Sequence, residues 1–252
     1  GKTSHTGILA RTLGIPAVIG VDTLEEHVRD GNLVVVDGLR GTVLVDPDED
    51  ELAKYTDLKY QFESYHASIM RGCHLPGETI DGYRVKVKAN IELLEEVAAV
   101  IDNGGEGIGL YRTEYSYMNR RALPTEEELT EEYQDLASII SPQRVTLRTL
   151  DAGADKFISL LGNPEERNPA LGLRAIRLCM HHKDLFMTQL RAILRASAVG
   201  NVSVMFPMIS GLREIRQAMS MLRAAQAELK QEGLPFDPEM PIGIMMELPS
   251  AV

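Results

Sequence analysis

From residue 83 onward, short β-branched runs alternate with longer runs of helical period, and this alternation leaves few folds open. Candidate strands are Arg84–Ile91, Gly107–Tyr111, Val145–Leu150, Val202–Met208 and Ile242–Leu248. Helical patterns separate them: Leu93–Ile101, Glu126–Ile140, Leu171–Ala198 with a break near His182, and Leu212–Glu232. Strands that alternate with helices predict a parallel sheet. Five βα units without a nucleotide-type glycine loop favour a barrel over a doubly wound sheet. A closed (β/α)8 barrel takes ~250 residues. Residues 83–252 supply 170, so about three further units are expected after Val252.

The chain before residue 83 reads differently. Residues 1–46 form a small α/β unit: a short helix at Thr6–Leu13, capped by Thr3 or Ser4 and ended by Gly14 and Pro16, then two β-rich runs, Leu33–Val36 and Thr42–Val45, joined by a turn at Asp37-Gly38. Residues 47–82 read as a helical linker. Acidic residues after Pro47 open a helix that runs to about Arg71, with Leu52, Tyr55, Leu58, Phe62, Tyr65 and Ile69 spaced so that one face should pack on something. Gly72, Gly77 and Gly82 end that pattern. The expected organisation is therefore 1–46, 47–82 and 83–252.

The formal charge is −11, from 26 basic and 37 acidic residues, which argues against a nonspecific nucleic-acid binder. An anionic substrate stays possible, because a few local arginines suffice to hold phosphate. The two cysteines, Cys73 and Cys179, form no C-x-x-C pattern, so a reduced cytoplasmic protein without a disulfide framework or zinc site is expected. No apolar run approaches the roughly 20 residues that a membrane span needs. The chain opens on Gly1 within a motif and stops at Val252 just after a strand, so both ends read as cut.

Three groups of residues carry chemistry. In Gly1-Lys-Thr-Ser-His-Thr6, His5 sits at the start of a helix among hydroxyls. Unpaired N–H groups there suit a phosphate, and the same field keeps the imidazole neutral and nucleophilic. Taken alone, these residues also fit a capping turn with an incidental surface histidine. In Gly107-Ile-Gly-Leu-Tyr-Arg-Thr-Glu114, an apolar strand ends on Arg112 and Glu114; in Val145-Thr-Leu-Arg-Thr-Leu-Asp151, Arg148 lies near the strand's end and Asp151 just beyond, followed by Asp155 and Lys156. Residues at these strand ends lie on the C-terminal rim, where barrel enzymes keep their chemistry. Guanidinium forks suit phosphate oxygens, although a single arginine also fits a surface salt bridge. Glu247 ends the last strand and offers a hard oxygen of the kind Mg²⁺ prefers, or a rim salt bridge.

The run Gly1–Gly20, with His5 at its head, resembles the phosphohistidine signature of the PEP-utilising enzymes. This family contains the Enzyme I branch of the bacterial sugar phosphotransferase system, the pyruvate phosphate dikinases and the phosphoenolpyruvate synthases. The stretches G-L-Y-R-T-E, R-T-L-D, Asn168–Arg177, Met205–Met208 and Gly243–Ser250 resemble landmarks of the Enzyme I branch. So does the interval between His5 and Arg112. The resemblance implies an α/β architecture: the C-terminal part of a swivelling phosphohistidine domain, a helical linker, and about five βα units of a (β/α)8 phosphoenolpyruvate-binding barrel. It implies that His5 is phosphorylated by phosphoenolpyruvate, that Arg112 and Arg148 contact the substrate phosphate, that Arg174 lies beside its enol end, and that Glu247 is a Mg²⁺ ligand. It further implies onward transfer to the phosphocarrier protein HPr and a homodimeric intact enzyme. The nitrogen-regulatory paralogue, a dikinase-type enzyme and a non-catalytic module of the family remain alternatives.

Ala152-Gly-Ala-Asp155 departs from the family's usual pattern, and Ala154 limits positive φ in that loop. Elsewhere the sequence suggests plainer roles: His181-His182 as a helix-end pair, Glu126–Glu132 as a solvated helix start, and Cys179 as a buried helix residue.

Overall fold

In a computed structural model of the chain, the residues described are 7, 10, 14–21, 23–118, 120–153 and 172–252. His5, Asn119, Ala154, Asp155, Lys156 and Asn168 lie outside them. Of the expected helix Thr6–Leu13, only Gly7 and Ala10 are described, and both are helical. The chain divides into two compact units, Gly1–His74 and Leu75–Val252. The division falls within the segment read from sequence as a linker.

The first unit contains one turn of helix, α1 (Leu24–His27), the antiparallel pair β1 (Val34–Asp37) and β2 (Thr42–Val45), and the long helix α2 (Glu49–Met70). The turn between the strands is held by Asp37, whose carboxylate accepts the Leu39 and Arg40 N–H groups at 3.0 Å each. The Arg40 N–H is the main reason that this carboxyl's pKa lies below its usual value. A capping box starts α2: Asp48 accepts the Glu51 N–H at 2.8 Å, and Glu51 accepts the Asp48 N–H at 3.2 Å. The sequence predicts a packed face on this helix. The structure bears this out only weakly: Tyr55 and Leu58 are half-buried, α2 contains no fully buried residue, and Leu52, Phe62, Tyr65 and Ile69 are exposed.

The second unit opens with a small antiparallel pair, β3 (Gly77–Glu78) and β4 (Arg84–Val85). The parallel sheet then runs β5 (Ala89–Ile91), β6 (Ile108–Arg112), β7 (Val145–Arg148), β8 (Val202–Phe206) and β9 (Ile242–Ile244), each hydrogen-bonded to the next in chain order. The helices α3 (Glu96–Asp102), α4 (Glu126–Ile140), α5 (Ile176–His181), α6 (Lys183–Ser197) and α7 (Leu212–Glu232) alternate with them. Consecutive parallel strands with no reversal of order fit part of a βα barrel.

The expected strand Arg84–Ile91 is two strands with different partners. The chain leaves β3 after Val85 and joins β6 at Ala89, whose N–H reaches the Gly107 carbonyl at 2.9 Å. Gly107 is at φ +125°, and a Cβ there would stand 2.6 Å from the Arg144 carbonyl oxygen. This close approach needs glycine.

One apolar core lies between sheet and helices. From the sheet come Ile108, Val145, Leu147, Val202, Val204 and Phe206, all at most 1% exposed. α4 contributes Leu129, Tyr133, Leu136 and Ile140, and α7 contributes Ala218, Leu222, Ala225 and Leu229, each set at helical spacing. Phe186 meets Phe206 edge-on at 6.2 Å. Thr125 and Glu128 form a capping box on α4, and Gly233 ends α7 in the left-handed conformation.

The acidic start of α4 is more than a solvated turn. Arg191 of α6 reaches Glu126 at 2.5 Å and, on α7, Glu228 at 3.1 Å and Glu232 at 2.7 Å. Arg195 pairs with Glu126 at 3.0 Å and Glu127 at 2.8 Å. Charge thus joins three helices that share the apolar core. Cys179 is fully buried, as expected, and its thiol pKa is pushed up to about 12 by desolvation. His181 ends α5, and its ring meets that of His182 edge-on at the helix break. Among the described residues, no helix is long and apolar enough to cross a membrane.

Candidate active site

The C-terminal ends of the strands bring three of the candidate residues into one neighbourhood. Arg112 ends β6 and Arg148 ends β7, and the two stand opposite each other in the parallel register. The row continues through Met205 on β8 to Gly243 on β9. In-register residues of neighbouring parallel strands share a face and sit about 4.8 Å apart along the hydrogen-bonding direction. Two guanidinium-bearing residues therefore leave the sheet side by side.

Each arginine is held by carboxylates. Arg112 pairs with Glu92 at 2.5 Å, and both side chains remain partly open to solvent. Glu92 directly follows Ile91, the β5 partner of Tyr111, so it stands at the level of Arg112. Arg148 is the more buried of the two. Its guanidinium pairs with Glu114 at 3.0 Å and with Asp151 at 3.1 Å, and approaches the Met245 sulfur at 3.8 Å. Its Nε is buried without an acceptor among the described residues. Glu114 also accepts the Asp151 N–H at 2.9 Å, which ties the loops after β6 and β7 together.

Arg174 joins the cluster through Asp151, whose carboxylate accepts its Nε–H at 2.9 Å. That hydrogen bond is the main reason that the Arg174 pKa is raised, with smaller contributions from the charges of Glu247 and Glu114. A backbone bridge between Gly153 and Arg174 fixes the position, and the next residue, Ala175, is held at φ +50°. A non-glycine residue there stores strain, which is common beside functional groups. Asp151 thus lies between Arg148 and Arg174 and neutralises part of both.

Glu247 lies beyond β9, is exposed, and accepts the Met208 N–H at 2.7 Å. Its charge acts on Arg174, which brings it to the same rim. Among the described residues, no group of three or more His, Cys, Asp or Glu side chains could hold a metal ion. His5 lies outside the described residues, as does the departure at Ala154 and Asp155.

Three residues at the rim are not singled out by the sequence. Glu92 pairs with Arg112 only because β5 and β6 adjoin. Thr113 is fully buried and donates its hydroxyl to the Arg148 carbonyl at 2.9 Å. Gln189 is buried on α6 beneath the loops. The signal for Gln189 was a lone amide in the apolar stripe of a helix, where a buried polar group must find partners.

Comparison with known proteins finds relatives along the chain. Residues 67–252 match the model described as "PEP-utilising enzyme, PEP-binding domain", and residues 1–41 match "PEP-utilising enzyme, mobile domain". A phosphoenolpyruvate-protein phosphotransferase of Priestia megaterium is 45% identical over 251 residues, covering 100% of this chain and 44% of the relative. One from Staphylococcus aureus is 43% identical over 250 residues, covering 99% of this chain and 44% of the relative. One from Staphylococcus carnosus (strain TM300) shows the same identity and coverage. The chain thus spans less than half the length of these curated relatives.

Proposed function

The chain belongs to the PEP-utilising enzyme family, and we propose that the protein containing it is a phosphoenolpyruvate-protein phosphotransferase, a transferase of the Enzyme I type. The observation that carries this reading is the in-register pair Arg112 and Arg148 at adjacent strand ends, with Arg174 joined to Arg148 through Asp151. The names of the relatives support it.

The reaction transfers the phosphoryl group of phosphoenolpyruvate to a ring nitrogen of His5. The bond between phosphorus and the enol oxygen breaks, a phosphorus–nitrogen bond forms, and the departing enolate takes a proton to become pyruvate. Such a transfer asks the protein for positioning and for neutralisation of spread negative charge. Arg112 and Arg148 would take phosphate oxygens through their forked donors, and Arg174 would lie beside the enol end. Glu92, Glu114 and Asp151 keep these guanidiniums aimed while the site is empty. They also set a cost, because an incoming anion must compete with them.

Phosphohistidine would pass the group on to the phosphocarrier protein HPr in the cytoplasm, and the intact enzyme would be a homodimer. Mg²⁺ belongs to the proposal, with Glu247 as one oxygen donor. In the proposed division of labour, residues 1–46 carry the phosphohistidine, 47–82 link, and 83–252 bind phosphoenolpyruvate. The test is to assay the full-length protein for pyruvate release coupled to histidine phosphorylation. Arg112→Ala and Arg148→Ala should each abolish most of it, and unchanged turnover in either would remove that arginine from the site.

A further inference from the structure

We infer that Gln189, far in sequence from both rim arginines and buried on α6, is the positioning residue that keeps Arg112 and Arg148 in mutual register; the inference rests on the proposed role of those two arginines. α6 packs Leu185, Phe186, Leu190 and Ile193 into the core, and Gln189 sits among them at 1% exposure. An amide buried in such a stripe is destabilising unless it is hydrogen-bonded. Here its carbonyl and both amide hydrogens have partners.

Gln189 Oε1 accepts the Leu150 N–H at 2.9 Å. Its Nε2 donates to Thr113 Oγ1 at 3.0 Å and to the Tyr133 hydroxyl at 3.4 Å. The backbone donor fixes which end of the amide is oxygen, so the direction of the other two bonds follows. Thr113 in turn donates its hydroxyl to the Arg148 carbonyl. Thr113 is the residue after Arg112, and Leu150 lies two residues after Arg148. One side chain therefore ties the Leu150 backbone, just past Arg148, to the Thr113 side chain, just past Arg112, and the Thr113 hydroxyl completes a closed path between the two strand ends.

This path orients through the backbone and leaves the guanidinium groups free for their own partners. Gln189 touches none of the atoms proposed to react, so its effect is on where the arginines point. Misplacement on the scale of an ångström can cost about 10²-fold in rate. A leucine in its place would keep the packing and leave the Leu150 N–H without its partner.

The experiment measures PEP-dependent phosphorylation in the full-length protein for wild type, Gln189→Met, Thr113→Val and Gln189→Glu, with thermal melts alongside. The positioning role predicts that Gln189→Met and Thr113→Val stay folded at the assay temperature and lose about 10-fold or more in kcat/KM. It also predicts a pH signature in Gln189→Glu. A protonated carboxyl can still donate to Thr113 Oγ1 and a carboxylate cannot, so its rate relative to wild type should fall as pH rises. Rates within twofold of wild type in both neutral variants would overturn the proposal. So would loss of the fold in both, which would make the role structural. Arg148→Ala in the same assay separates this from the reading of the rim: if it too keeps wild-type turnover, that reading has failed; if it alone loses turnover, only the role of Gln189 has.

Discussion

Arg148 and Asp151 form an ion pair at 3.1 Å in which both side chains are nearly buried, and the same carboxylate reaches Arg174 at 2.9 Å. One anion thus serves two cations. The arrangement leaves Arg148, with Glu114 as its second partner, fixed from two sides. Under the proposed function, a phosphorylated substrate would enter this rim by exchange of partners.

This geometry makes Arg148 the sensitive position. Arg148→Ala should lower kcat by about 10² or more, as loss of a preorganised charged donor does elsewhere. Arg148→Lys keeps the charge but loses the fork, so its rate should fall between the two. It would also cost Glu114 or Asp151 its contact with residue 148, although Asp151 keeps Arg174 and Glu114 keeps the Asp151 N–H. Steady-state pyruvate release measures both, and a lysine variant as active as wild type would show that the fork is dispensable.

Alkaline stability should depend on Cys179. Burial raises its pKa from 9.0 to about 12, so between these values the folded chain holds a proton that the unfolded chain releases. The corresponding stability is fully present below about pH 9 and is lost as pH rises towards 12, at up to about 1.4 kcal/mol per pH unit. Tyr111, Tyr117 and Tyr133 are also raised by burial and add to the loss above their ordinary value of 10.0. Chemical denaturation from pH 8 to 11 should show a decline that begins later in Cys179→Ala than in wild type. An identical decline in both would contradict it.

The sequence made some of this legible and hid the rest for physical reasons. The bounds of α4 and α7 follow from Thr125, Glu128 and Gly233, which act locally. The break at His182 could be read for the same reason. The split between β4 and β5 could not, because Val85 and Val87 keep a strand-like alternation while the backbone changes partner. The acids of α4 suit a helix start, but Arg191 and Arg195 arrive from another helix and turn them into an interhelical junction. Arg112 and Arg148 were visible as strand ends, whereas the pairing of Arg112 with Glu92 depends on strand neighbours. Gln189 illustrates the limit: helical period marks it as buried, and only the tertiary fold says what it holds.

Arg191 should matter for stability more than an ordinary surface cation. Its side chain is 12% exposed and meets three glutamates on two helices. Arg191→Met keeps much of the apolar stem and removes the charge. A fall in Tm of roughly 2–4 °C is expected, equivalent to about 1 kcal/mol in a chain of this size. Added salt should narrow the gap. Equal melting temperatures at low salt would show that the network contributes nothing.

The central claim concerns His5 and the rim together. The direct measurement is to incubate the full-length protein with phosphoenolpyruvate labelled in its phosphate, with Mg²⁺, and to locate the label by peptide mapping. The account predicts an acid-labile, base-stable phosphate on His5, absent from His5→Ala and strongly reduced in Arg148→Ala. Label that persists in His5→Ala at the wild-type level would contradict it.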